Sequence, residues 1–184
     1  AARRKYTWGL DLVGQSGQPN DRTSAGGIGG LLAMEDHDTT TTQSGAFWYT
    51  FDGNGNVCEL VQASTGNVAV HYEYDAFGLS KATAGLVQPF RFSTKMRDSV
   101  TGMYYYGYRW YSPGLGRWMS RDPIYERGAA QLRNIPIELL SQQERRSPDD
   151  GYVFARNQAL SGIDALGLCA EHSYELTWRV CCSP

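Results

Sequence analysis

The chain has 184 residues, room for one domain or one domain with arms, and its 17 Lys and Arg against 19 Asp and Glu leave a formal charge of −2. That balance offers no surplus of cations for phosphate contacts, so nucleic-acid binding is not expected. All apolar runs fall far short of the ~18 residues of a membrane-spanning helix, and Ala1-Ala2-Arg3-Arg4-Lys5-Tyr6 is followed by no apolar stretch like that of a signal peptide. The first residue is not Met, as expected of a piece of a longer chain. The 21 Gly and 12 Tyr favour short strands joined by tight turns over helices.

In chain order, residues 1–46 predict an irregular N-terminal arm with one strand. Between Arg3 and Leu12 the side chains of Tyr6, Trp8, Leu10 and Leu12 share a face by period two. Gly14-Gln15-Ser16-Gly17-Gln18-Pro19-Asn20 and Gly26-Gly27-Ile28-Gly29-Gly30 are loop signals. Residues 47–125 predict a β region. Phe47, Tyr49 and Phe51 alternate, and Asp52-Gly53-Asn54-Gly55-Asn56 supplies a hairpin turn. Val57 to Val61 returns, Ser64-Thr65-Gly66-Asn67 turns again, and Val68, Val70, Tyr72 and Tyr74 run out to Asp75-Ala76-Phe77-Gly78. Tyr49-x-x-Asp52-x-x-Gly55 and Tyr72-x-x-Asp75-x-x-Gly78 share one grammar, with aspartates 23 positions apart. Such a period signals stacked hairpins.

The densest stretch runs from Pro89 to Pro123 and holds Tyr104-Tyr105-Tyr106-Gly107-Tyr108-Arg109-Trp110-Tyr111. Its aromatics are expected to pack in the core and across strands, with a stacking platform as the sharper alternative. Residues 126–150 are charged and strand-poor, and predict an insertion with a short helix over Ile137 to Arg146, opened by Pro136 and ended by Pro148. Residues 151–168 return to an apolar pattern as a closing segment, and 169–184 form a tail of different composition.

Cys58, Cys169, Cys181 and Cys182 set the redox compartment only loosely. Neighbouring Cys181 and Cys182 cannot easily bridge each other, whereas Cys169 could pair with either. No zinc-ligand spacing is present around His172, and His37, His71 and His172 lie in unrelated contexts. No metal or cofactor is expected. No Gly-x-Ser-x-Gly elbow, His-Glu-x-x-His helix or phosphate loop points to another enzyme class.

The Tyr-Asp repeats, the run from Phe90-Arg91-Phe92-Ser93 through Gly116-Arg117-Trp118-Met119-Ser120-Arg121-Asp122-Pro123, and the segment Tyr152 to Leu168 together resemble the Rhs/YD-repeat family in its C-terminal Rhs-repeat-associated core region. The resemblance implies an all-β fold of stacked antiparallel hairpins that spiral into a plug at one end of a hollow shell around a toxin. It implies a secreted or cell-surface setting, and partners in the remainder of such a shell or in self-association through sheet edges. It also implies an aspartyl protease acting on its own chain. By position, Arg121 and Asp122 match the first motif, Asp164 matches the second aspartate, and the scissile bond is Leu168–Cys169. Ala165 stands where the family usually has Pro, and Asp122 and Asp164 lie 42 positions apart.

Two carboxylates within hydrogen-bonding reach share a proton, because both cannot ionise together. The ionised one activates water and the protonated one polarises the carbonyl. Arg121 is expected to hold a carboxylate or oxyanion by paired hydrogen bonds. Two other functions fit the same residues. One is a non-catalytic surface binding or adhesion module whose aromatics Tyr104 to Tyr111 meet a glycan or a protein. The other is a small hydrolase using the same carboxylates on an external substrate.

Overall fold

The computed structural model describes residues 4–16, 27–37, 44–83, 85–122, 151–155, 162–164, 167 and 179–180. The chain divides into two compact units, Ala1–Arg97 and Asp98–Pro184. The fold of the described residues is all-β, as the sequence predicts, with antiparallel sheets, one short parallel pair and no α-helix among them. The helix expected within 126–150 lies outside the described residues.

The first unit is a six-stranded meander whose strands lie side by side in chain order: β1 (Arg4–Trp8), β2 (Leu31–Asp36), β3 (Gly45–Phe51), β4 (Val57–Gln62), β5 (Val68–Tyr74) and β6 (Ser80–Ala82). Every neighbouring pair is antiparallel. Residues 1–46 therefore contribute two strands, where the sequence predicts an irregular arm with one. The reason lies in the register. Trp8 pairs with Leu31 but Thr7 pairs with Ala33, so Leu32 is an extra, bulged residue. Leu31 and Met34 both reach the core while Leu32 is exposed, which breaks the alternation that would mark β2 as a strand. β1 also stops at Trp8 instead of running to Leu12.

What stops β1 is the same device that closes the other hairpins. Asp52 Oδ1 accepts from the backbone N–H of Asn54 and Asn56, each at 2.9 Å, and Oδ2 accepts from Asn56 Nδ2 at 2.8 Å. Asp75 Oδ1 accepts from the N–H of Phe77 at 2.9 Å and Leu79 at 2.8 Å. Asp11 Oδ1 accepts from Val13 and Gln15, each at 3.1 Å. In each loop the Gly three positions on has positive φ: Gly14 at 75°, Gly55 at 73° and Gly78 at 84°. An aspartate that hydrogen-bonds its own turn, followed by a left-handed Gly, fixes the chain reversal locally. Asp98 does the same with one residue more, accepting from Thr101 N at 2.7 Å and leading to Gly102 at φ 75°.

One face of the sheet is buried. Leu31, Met34, Phe47, Tyr49, Val57, Leu60, Val70 and Tyr72 form its core with Leu86. β3 and β5 offer alternate residues, as period two requires, whereas the core residues of β2 and of β4 lie three apart because each strand carries a bulge. After β6 the chain makes a 3₁₀ turn at Phe92–Thr94 and then β7 (Met96–Arg97). Ser93 and Thr94 are both left-handed, at φ 49° and 53°. The strain is held by specific bonds: Thr94 Oγ1 accepts from Gly29 N and donates to Gly55 O, each at 2.8 Å, and Ser93 N donates to Asn56 Oδ1 at 2.7 Å. This turn ties the Asp52 loop to the Gly27–Gly30 stretch.

The second unit contains β8 (Tyr104–Tyr105), β9 (Trp110–Ser112) and β10 (Arg117–Trp118), joined antiparallel in that order, and a short parallel pair, β11 (Gly162–Ile163) with β12 (Arg179–Val180). Val153 bridges Arg117, which lays residues 151–155 along β10.

Candidate active site

The turn from β8 to β9 places the central residue of the site. Tyr106 N donates to Arg109 O at 3.1 Å, and Gly107 takes φ 101° between them. From there period two carries Arg109 inward, Trp110 outward and Tyr111 inward. An arginine thus occupies a core position, 2% exposed. Around it Tyr106, Tyr111, Trp118 and Phe154 form a box of edge-on and tilted rings with centroids 4.1–6.0 Å apart. The guanidinium carbon sits 4.1 Å from the Trp118 ring centroid, a cation–π contact in a dry setting.

Among the described residues, the polar side-chain contacts of this guanidinium go to the chain that follows β10. Arg109 Nη2 lies 3.0 Å from Asp122 Oδ2 and donates to Asp164 Oδ2 at 3.3 Å. Nη1 donates to Gly151 O at 3.0 Å, and Nε donates to Gly167 O. Asp122 is fully buried and Asp164 is 2% exposed. Asp122 is further fixed by its N–H, which donates to Gly151 O at 3.1 Å. Two carboxylates from positions 42 apart in sequence therefore meet at one nitrogen atom. Buried carboxylates without a cation would be very costly, and this pairing is what permits them.

Of the residues singled out in the sequence, Asp122 and Asp164 come together, whereas Arg121 is exposed and the guanidinium between the carboxylates is that of Arg109. Leu168 and Cys169, the expected scissile pair, lie outside the described residues, as do Cys181, Cys182 and His172. Gly167 is described, at φ 69°. Cys58 is free, and burial, with Asp52 and Glu59 nearby, pushes its thiol above the usual value, so it is no poised thiolate. The aromatic run splits by face: Tyr104, Tyr106 and Tyr111 are buried, while Tyr105 and Trp110 pair across strands on the exposed side, centroids 5.0 Å apart.

No family model matches the chain. Among known proteins it is 34% identical over 110 residues to the toxin subunit YenC2 of Yersinia entomophaga, covering 56% of this chain and 10% of that protein. It is 36% identical over 78 residues to the double-stranded DNA deaminase toxin A of Burkholderia cenocepacia, covering 39% of this chain and 6% of that protein. The chain thus spans a tenth or less of the length of these relatives. The crystal structure of TcdB2-TccC3 superposes with a TM-score of 0.53 at 25% identity, over 74% of this chain and 6% of that one. The same complex without its hypervariable C-terminal region gives a TM-score of 0.54 at 24% identity, over the same shares of the two chains. The repeated Tyr-Asp hairpins, the all-β fold and the likeness to toxin subunits are consistent with the Rhs/YD-repeat resemblance of the sequence.

Proposed function

We propose that this chain is the core region of a longer Rhs/YD-repeat toxin protein, where it closes a β-shell, and that it cuts its own backbone once, between Leu168 and Cys169. The observation that carries this reading is the meeting of two buried carboxylates, Asp122 and Asp164, at Arg109 Nη2. The same guanidinium also binds the carbonyl of Gly167, one residue before the proposed bond.

Hydrolysis by two carboxylates needs one ionised and one protonated. One guanidinium against two carboxylates is the charge count that matches that state. The ionised carboxylate takes a proton from water as the water oxygen bonds to the Leu168 carbonyl carbon. The protonated carboxylate gives its proton to the carbonyl oxygen. Collapse of the tetrahedral species breaks the C–N bond, and a proton returns through the carboxylates to the leaving nitrogen. The products are a carboxyl group on Leu168 and an amine on Cys169. Because the bond is tethered beside the acids, proximity supplies much of the rate. The surroundings of the longer protein, a secreted or surface setting and association with other shell and toxin components belong to this same proposal.

The test is intact-mass spectrometry, under denaturing and reducing conditions, of wild type, Asp122→Asn and Asp164→Asn. Loss of residues 169–184 from wild type but from neither variant supports the reading. Full-length mass for all three sinks it, and a structural or binding role then remains.

A further inference from the structure

We propose that Arg109 is the positioning residue of the cut: its guanidinium holds the closing segment by two backbone carbonyls and so sets the Leu168 carbonyl against the carboxylates. This rests on the self-cleavage reading given above. A buried arginine that served only to neutralise Asp122 and Asp164 would need only its Nη2 edge. Here the two other edges are committed as well, Nη1 to Gly151 O and Nε to Gly167 O. Both acceptors are main-chain atoms of the segment that carries the proposed bond. The planar fork of an arginine can make such contacts at once, whereas a lysine cannot.

Gly167 reports how closely the segment is seated. A Cβ on it would lie 3.1 Å from Tyr106 Cβ, and 3.4 Å from both Arg109 N and Trp118 Cη2, and its φ of 69° disfavours any side chain. The seat therefore recognises backbone with no side chain, one residue before the bond. Consecutive Cα atoms are about 3.8 Å apart, so the Gly167 seat lies within one residue of the proposed bond. Displacement of a reacting group by about 1 Å can cost roughly 100-fold in rate.

Two variants displace the segment by different means. Arg109→Lys keeps the positive charge and loses the fork. Gly167→Ala leaves the charges untouched and crowds the seat. Each is followed in the full chain by the time course of the intact mass and by amide hydrogen exchange at residues 151–155 and Gly167, with Tyr104 and Tyr111 as the check that the unit is folded. The expected result is a cut slowed about 100-fold in both variants, loss of protection at 151–155 in both, and an unchanged pH profile of the residual rate in Gly167→Ala. Processing at the wild-type rate in Arg109→Lys overturns the proposal. So does slowed processing with full protection at 151–155, because the segment would then still be seated and the loss would not come from its position. A wild type that never shortens overturns the self-cleavage reading itself, and the positioning role with it.

Discussion

Gly55 and Gly66 have the same φ, 73°, and opposite surroundings. A Cβ at Gly66 would meet nothing within 4 Å, whereas at Gly55 it would lie 2.4 Å from Ile28 Cγ2 and 3.1 Å from Gly29 N. Gly66→Ala is therefore expected to cost only the left-handed penalty less the gain from a stiffer unfolded chain, about 1 kcal/mol. Gly55→Ala adds overpacking, for a total of roughly 2–4 kcal/mol. Denaturant unfolding checks both, and equal costs would show that the Ile28 contact yields freely. Tyr49 sets a pH limit of its own. Burial pushes its phenol well above the usual value, with Tyr6 and Tyr72 adding to the effect, and its hydroxyl donates to Gln88 Oε1 at 3.2 Å. The folded state thus prefers the neutral phenol. That contribution is full below the unfolded value of about 10 and is lost as pH rises above it. Thermal midpoints measured from pH 8 upward should fall above about pH 10, and less steeply in Tyr49→Phe. Parallel slopes would count against this account.

At the scale of the element, the aspartate loops differ in what surrounds them. Asp75 is exposed, and its two N–H donors can turn to water once the carboxylate is removed. Asp11 is 6% exposed, and its Oδ2 also takes the N–H of buried Gly27 at 3.5 Å. Asp75→Ala should cost about 1 kcal/mol and Asp11→Ala about 2–3 kcal/mol, because stranded buried donors carry the larger penalty. Unfolding midpoints of the two variants decide the order. These loops also show what could be read in advance. The hairpins closed by Asp52 and Asp75 were legible because Tyr, Asp and Gly recur at fixed offsets. The Asp11 loop has the same offsets with Trp8 in place of Tyr, and Asp98 keeps the 23-residue step from Asp75 but adds a residue to its turn. A search on Asp and Gly alone would have found the first, and a search on period the second. β2 was hidden because its bulge spoils alternation.

At the scale of the whole chain, the carboxylates of the site were legible through family resemblance and their cation was not. Arg109 lies among aromatics that read as core, and apart from Asp122 its contacts lie 42, 55 and 58 positions away. Only the strand parity that it shares with Tyr111 hints that it points inward. The aromatic box is similarly long-range, since Phe154 stacks on Tyr111 with centroids 4.1 Å apart and also meets Trp118 and Tyr106. Phe154→Ala should destabilise the second unit by about 3–5 kcal/mol through the cavity left in the box. The readout is amide exchange at Tyr104, Tyr111 and Trp118. Unchanged exchange there would mean that the box closes without its fourth ring.

The two carbonyls held by Arg109 stand at opposite ends of one stretch of chain, Gly151 and Gly167. One guanidinium thus acts toward that stretch as a chelating centre does toward a two-armed ligand. Once the first arm is held, the second meets its donor at a high effective concentration, and either arm let go is quickly recaptured. Release of Gly151 and Gly167 from the guanidinium then requires both contacts to open together. Weakening one arm lowers the residence of the other. The proposed cut beyond Gly167 would sever neither arm, so Gly151 and Gly167 would keep their hold on Arg109.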